Sequence, residues 1–330
     1  MFHLIKKILI FLLPFIIIAL LYIILDPFMV LYKYDNYNKE PFIQKNRDFI
    51  STEMYIKNSK KYLYDSFIFG SSNALFIPPS IWRNYIHAEN NIFSFDASAE
   101  NLAGVWSKTQ YLNNNHQMIR FALVVIEHKF LEDFVNDIPI FMKHYKIYPS
   151  SRLYFHYELF LNYLDLRFLK TYVPLKIRNL TYATTGKILD KKVSYFDTLT
   201  NEFYYEGLTD ELRRDSMQYY IERSDKFPLR TGNYAESKSL INQEKIQMLN
   251  DIKGVFMENN TDYRIIISPI YDQIAFNRKD LEIIKNIFGK ENVFDFSGIN
   301  EFTNKKSNFY DDLHFKPYVG KKMLDIVYSK

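Results

Sequence analysis

Two short stretches carry the residue types that ester chemistry needs. The first is Gly70-Ser71-Ser72-Asn73, which follows the apolar run Ser66-Phe67-Ile68-Phe69. A glycine and serines at a strand-to-loop corner can expose a hydroxyl while backbone N–H groups line the same corner, as a nucleophile and its oxyanion donors require. The same residues also make an ordinary turn. The second is Asp311-Asp312-Leu313-His314-Phe315, close to the C-terminus. An Asp three residues before a His can sit on the same turn and hold the imidazole, leaving the other ring nitrogen to act as general base. An Asp-rich turn that caps a helix has the same composition. His128 stands just past a strand-like run and either donates to a substrate or caps the strand end. Ser268-Pro269-Ile270-Tyr271-Asp272 also follows a strand and is a candidate pocket wall. Asp311, Asp312 and His314 lack a partner cluster, so no metal site is expected. With no cysteine in the chain, thiolate nucleophiles, disulfides and cysteine-bound zinc are excluded.

The elements around these stretches alternate. Short continuous apolar runs at 66–69, 92–95, 121–126 and 264–267, and a shorter one at 292–295, read as buried strands. Helical patterns lie at 100–113, 236–257 and 278–288, with a closing helix after Pro317. Strands of this kind interleaved with helices predict a parallel sheet covered on both faces, an α/β fold. In such sheets sites form at the carboxyl ends of strands, where both stretches fall. Residues 135–235 interrupt the alternation with aromatic-rich sequence (YPSSRLYFHYELFLNYLDLRFL at 148–169) and are expected to be a helical insertion. Its aromatic stripes favour a role in the core over one on a membrane surface.

At 330 residues, with 48% apolar residues and a net charge of +4, the chain can bury a large core, and no basic block suggests nucleic acid. Ile8 to Leu25 is an unbroken apolar run without a charge, long enough as a helix to nearly cross a ~30 Å hydrocarbon layer. Residues 1–26 are therefore expected to be a single-pass membrane anchor, 27–60 a polar stem and 61–330 the catalytic body. Lys6 and Lys7 are balanced by Lys33 and Lys39, so charge leaves orientation open. The layout of a short stub and a large C-terminal body favours an extracytoplasmic domain.

Taken together, Gly-x-Ser after the first strand and Asp-x-x-His in the last loop resemble the SGNH (GDSL-like) hydrolase and acyltransferase superfamily. FIFGSSNA (67–74) places Ser71 where the family has aspartate and Ser72 at the nucleophile position. FYDDLHFKPYVGKKML (309–324) is similar to membrane-anchored members that modify cell-envelope polymers, such as the D-alanine-transfer proteins of lipoteichoic acid and the alginate acetylation proteins. The resemblance covers the anchor, 65–130 and 262–330. It implies Ser72 as nucleophile, His314 as base and then acid, and Asp311 as its orienting carboxylate. Gly70, Ser71 and Asn73 would surround the oxyanion, and Ala99 in FDASAEN, or alternatively Asp96, would take the position of the family's second-block glycine. The family's third-block asparagine is missing, since the strand runs into Glu127-His128-Lys129; His128 would stand in. The implied activity is that of a serine esterase or O-acyltransferase on acyl esters of a glycan or teichoic-type polymer, without cofactor. A multi-span acyltransferase would be its partner. The competing expectation is a catalytically degenerate fold that binds glycan or assists such an acyltransferase.

Overall fold

The computed structural model describes residues 2–39, 43–133, 138–178, 194–230 and 232–329, without the side chains of Phe2, Leu9, 175–178, Ser194 and 206–208. In chain order the helices are α1 (Phe2–Leu25), α2 (Arg47–Asn58), α3 (Pro79–Trp82), α4 (Leu102–Asn114), α5 (Arg152–Leu164), α6 (Leu166–Arg178), α7 (Glu206–Arg214), α8 (Ser216–Glu222), α9 (Gln243–Glu258), α10 (Arg278–Phe288) and α11 (Pro317–Val327). The strands are β1 (Tyr64–Gly70), β2 (Asn91–Asp96), β3 (Phe121–Ile126), β4 (Ser194–Phe196), β5 (Phe203–Tyr205), β6 (Ala235–Glu236), β7 (Asp262–Ile267), β8 (Ile274–Ala275) and β9 (Val293–Asp295).

Five strands form one parallel sheet in the order β2-β1-β3-β7-β9. Every residue of β1 and β3 is buried, which is why Phe67–Phe69 and all of β3 read as continuous apolar runs with no polar face. Their side chains nevertheless alternate between two cores. Phe67, Phe69, Phe93, Phe95, Val124 and Ile265 face one side, packed with α2, α4, α9 and α10. Ile68, Ile92, Leu123, Val125 and Ile266 face the other, under Trp82 and the α11 residues Val319, Met323 and Leu324. The α/β expectation thus holds as a five-stranded parallel sheet flanked by helices.

Differences from the sequence reading have local causes. Residues 236–242 are not helical: the Asp280 carboxylate accepts the Ser239 hydroxyl (2.7 Å) and the Leu240 amide (2.7 Å), and α9 begins only after Asn242, whose side chain caps Lys245 N. The segment expected to be a polar stem, 27–60, is largely built into the body. Phe28, Met29 and Val30 are buried, and α2 is buried along most of its length against β2. Its charges misled the reading because they are paired inside: Asp48 with Lys108 (3.3 Å), and Arg47 with Asp96 (2.8 Å). Among the described residues no helix is long and apolar enough to cross a membrane; the side chain of Leu9, within the apolar run of α1, is outside that description.

Between residues 138 and 230 lie α5 to α8 and the β4–β5 hairpin. The aromatic expectation holds for one face, with Phe155, Leu159, Tyr163, Phe168 and Tyr172 buried. Leu153, Tyr157, Leu161 and Leu166 are exposed.

Candidate active site

β1 ends on Gly70 because the chain must turn there against a neighbour. A Cβ at Gly70 would lie 2.3 Å from the Val125 carbonyl oxygen, and its φ of +152° disfavours any L side chain. The turn that follows is a 3-10 helix, Ser72–Phe76, capped by Ser71, whose hydroxyl accepts from Asn73 N (3.4 Å). This lifts Ser72 to the carboxyl edge of the sheet. The second stretch reaches the same place from the other end of the chain. Asp311 Oδ1 accepts from Leu313 N (2.9 Å) and His314 N (2.8 Å), while Tyr310 N donates to His314 O (2.8 Å) and closes a tight loop. α8 braces this loop through Tyr219 OH to Tyr310 O (2.8 Å) and Tyr220 OH to Phe309 O (2.9 Å). α11, opened by Pro317 at its first turn, presses Gly320 onto the nucleophile turn, where a Cβ would meet Phe76 O at 2.4 Å. The glycine of the C-terminal stretch is therefore what lets the His314 loop approach the Ser72 turn.

The outcome is an unbroken relay. His314 Nε2 lies 2.8 Å from Ser72 Oγ, and His314 Nδ1 lies 2.9 Å from both oxygens of Asp311. Nδ1–H donating to the carboxylate leaves Nε2 as acceptor for the serine proton, the arrangement general-base catalysis needs. Burial pulls the His314 pKa down, but the Asp311 hydrogen bond and charge, followed by Glu127 and Asp312, outweigh it and leave it above the ordinary value. For Asp311 burial pushes upward, yet the His314 partner and the two amides win and hold it below the usual carboxylate value. Asp312 moves the opposite way, raised by burial and then by the Asp311 charge. It touches the site through its backbone, its carbonyl accepting from Tyr271 N (3.1 Å).

The remaining candidates divide. Ser71 and Asn73 meet at Glu127: Ser71 Oγ donates to Glu127 Oε2 (2.9 Å) and Asn73 Nδ2 donates to the same oxygen (2.6 Å). Among the described residues Asn73 Oδ1 is buried without a partner. Ala99 adopts φ +50°, the backbone region where glycine is most at ease, on the loop between Asp96 and Asn101. That loop is pinned by Ser51 Oγ to Asp96 O (2.7 Å), Lys108 Nζ to Asp96 O (3.2 Å) and Ala97 N to Gly70 O (3.2 Å). Its Ser98, rather than Ala99, lines the cavity beside Ser72. His128 opens a 3-10 turn after β3 and is not among the residues lining that cavity.

The cavity measures about 260 Å³ and joins Ser72, Asp311 and His314 to a wall that mixes aromatic, aliphatic and polar residues. Phe76 comes from the nucleophile turn, Phe196, Phe203 and Tyr205 from the β4–β5 hairpin, and Tyr37, Ile43, Gln44 and Arg47 from the segment before the sheet. Arg47 is held over the Phe196 ring at 3.4 Å. Sequence reasoning missed this wall and Glu127. No motif marks the wall, because its residues come from three separate parts of the chain. Glu127 did carry a signal, its place at the tip of β3. Among the described residues no group of three or more His, Asp or Glu side chains could hold a metal ion.

Compared with known proteins, the chain matches no protein-family model and no curated protein.

Proposed function

We propose that this protein is an SGNH-type serine esterase or O-acyltransferase, held at a membrane and acting on acyl esters of a cell-envelope polysaccharide or related polymer. The observation that carries the reading is the Ser72–His314–Asp311 relay at 2.8 and 2.9 Å, at the carboxyl edge of a parallel sheet. Ser72 Oγ attacks the ester carbonyl as its proton passes to His314 Nε2. The tetrahedral oxyanion is held by backbone N–H groups at Ser72 and the 96–101 loop, and the alcohol departs with the proton from His314. Water or a polymer hydroxyl then attacks the acyl-serine with His314 again as base, which gives hydrolysis or transfer. The aromatic cavity takes the acyl group. The anchor is proposed on the charge-free Ile8–Leu25 run, and the polymer substrate and a membrane-bound acyltransferase partner on the family resemblance.

One observation favours the alternative of a non-catalytic accessory protein: Asn73 Nδ2 is engaged by Glu127, and no asparagine stands at the β3 tip to stabilise the oxyanion. A fluorophosphonate probe separates the two, because it labels only an activated serine. The enzyme reading expects labelling of Ser72 that is lost in Ser72→Ala and His314→Ala; an unlabelled, folded wild type leaves the accessory reading.

A further inference from the structure

We propose that α5 and α6 enter the same bilayer as α1, with the outward stripe of α5 lying against lipid acyl chains. The inference rests on the anchor reading above. α5 is apolar on two opposite faces. Phe155, Leu159 and Tyr163 point into the core, whereas Leu153 (84% exposed), Tyr157 (55%), Leu161 (42%) and Leu164 (37%) form a second stripe at helical spacing. A helix facing core on one side and water on the other carries a polar outer face; one that is apolar on both sides has a non-aqueous neighbour on each. On α6, Leu166 (68% exposed) and Val173 (38%) extend the exposed apolar surface, with the exposed Lys170 between them able to reach toward the interface.

The position of the pair says what that neighbour is. Tyr22 of α1 packs its ring on Phe160 (5.2 Å between centroids) and Tyr163 (5.0 Å). Farther along, Leu12, Phe15, Ile16 and Ala19 share an apolar groove with Phe160 and Leu164. Phe15 is ten residues before the end of α1 at Leu25, or about 15 Å along the axis. That is about half of a ~30 Å hydrocarbon core. The α5–α6 joint therefore lies alongside the part of α1 that must be in the lipid, and it cannot be in water if α1 is not. At the joint itself Asp165 accepts from Arg167 Nη2 (2.7 Å) and Nε (3.1 Å), so these two charges neutralise each other.

The chain has no cysteine, so a single introduced cysteine can be labelled at one place. The full-length protein is reconstituted in phospholipid vesicles with an environment-sensitive NBD label at Leu20→Cys on α1, Leu161→Cys on α5, Leu166→Cys on α6, or Leu229→Cys, a fully exposed site elsewhere. The expected result is a blue-shifted emission and several-fold quenching by doxyl lipids at positions 20, 161 and 166, with quenching only by aqueous iodide at 229. Lipid quenching at 20 combined with iodide quenching at 161 and 166 overturns the inference while sparing the anchor, and leaves this face for a protein partner. Iodide quenching at all four overturns both. Ester turnover, measured on the same samples, judges the catalytic reading independently of where the labels sit.

Discussion

Replacing Asp311 by Asn tests the relay most directly, because the change is nearly isosteric and its consequences separate. Asp311 Oδ1 accepts from two backbone amides at 2.9 and 2.8 Å, and an amide oxygen keeps both bonds. What is lost is the charged partner of His314 Nδ1. An Asn that keeps its oxygen on the amides presents its NH2 toward the ring, and the imidazole responds by carrying its proton on Nε2. In that tautomer it cannot take the Ser72 proton. The same change in comparable triads lowers turnover about 10⁴-fold, or about 5 kcal/mol in the barrier. The cost to folding is much smaller. A charge-assisted bond of about 1.5–3 kcal/mol gives way to a neutral one of about 0.5–1.5 kcal/mol, a loss of about 1–2 kcal/mol. That lies well within the stability of an ordinary domain, about 5–15 kcal/mol. Because the depressed Asp311 pKa contributes stability that disappears as pH falls through it, the stability gap between wild type and variant should close in acid. The assay is turnover of a small acetyl ester followed across pH and compared on the alkaline plateau of each protein, with urea unfolding of each. A folded variant that keeps more than about a tenth of wild-type turnover would refute the orienting role assigned to Asp311.

Glu127→Gln should shift the acid limb of the kcat/KM profile to lower pH, because Glu127 is one of the groups raising the His314 pKa; an unmoved limb means the two do not interact. Ser72→Ala should cost several powers of ten in turnover, whereas Ser71→Ala removes the cap on Asn73 N and its bond to Glu127 and should cost mainly stability, about 1 kcal/mol; equal damage from both would mean the nucleophile is misassigned. Lys108→Met leaves the buried Asp48 and Glu100 carboxylates short of a cation and should destabilise by about 3–5 kcal/mol, read from the urea midpoint; a loss below about 1 kcal/mol would show that Lys143 alone suffices. Removing residues 1–34 deletes the buried Phe28, Met29 and Val30 along with α1, so the shortened protein should melt well below one cut before Tyr22; equal melting would restore the free-stem reading.

The strands and each half of the relay were legible in the sequence because local rules govern them; that the two halves belong together came from the family resemblance, and their meeting is a tertiary contact across 242 residues. A strand buried on both faces tends to be a continuous apolar run, as β3 is throughout and as Phe67–Phe69 of β1 and Ile265–Ile267 of β7 are. An Asp three residues before a His closes on one turn with no help from the rest of the chain. A glycine at the end of a buried strand marks a corner, which is how Gly70 pointed to Ser72. Tertiary structure alone decided the rest. That α2 is core and not stem depends on Asp48 and Arg47 meeting Lys108 and Asp96, partners about sixty and fifty residues away whose charges cancel only when brought together. That the cavity beside Ser72 has an aromatic wall depends on Phe196, Phe203 and Tyr205 being folded over Phe76. Glu127, adjacent in space to Ser71 and Asn73, is more than fifty residues from them in sequence. A charge or an aromatic ring has the same letter whether it meets solvent, a counter-charge or a substrate, and only the fold supplies that neighbour.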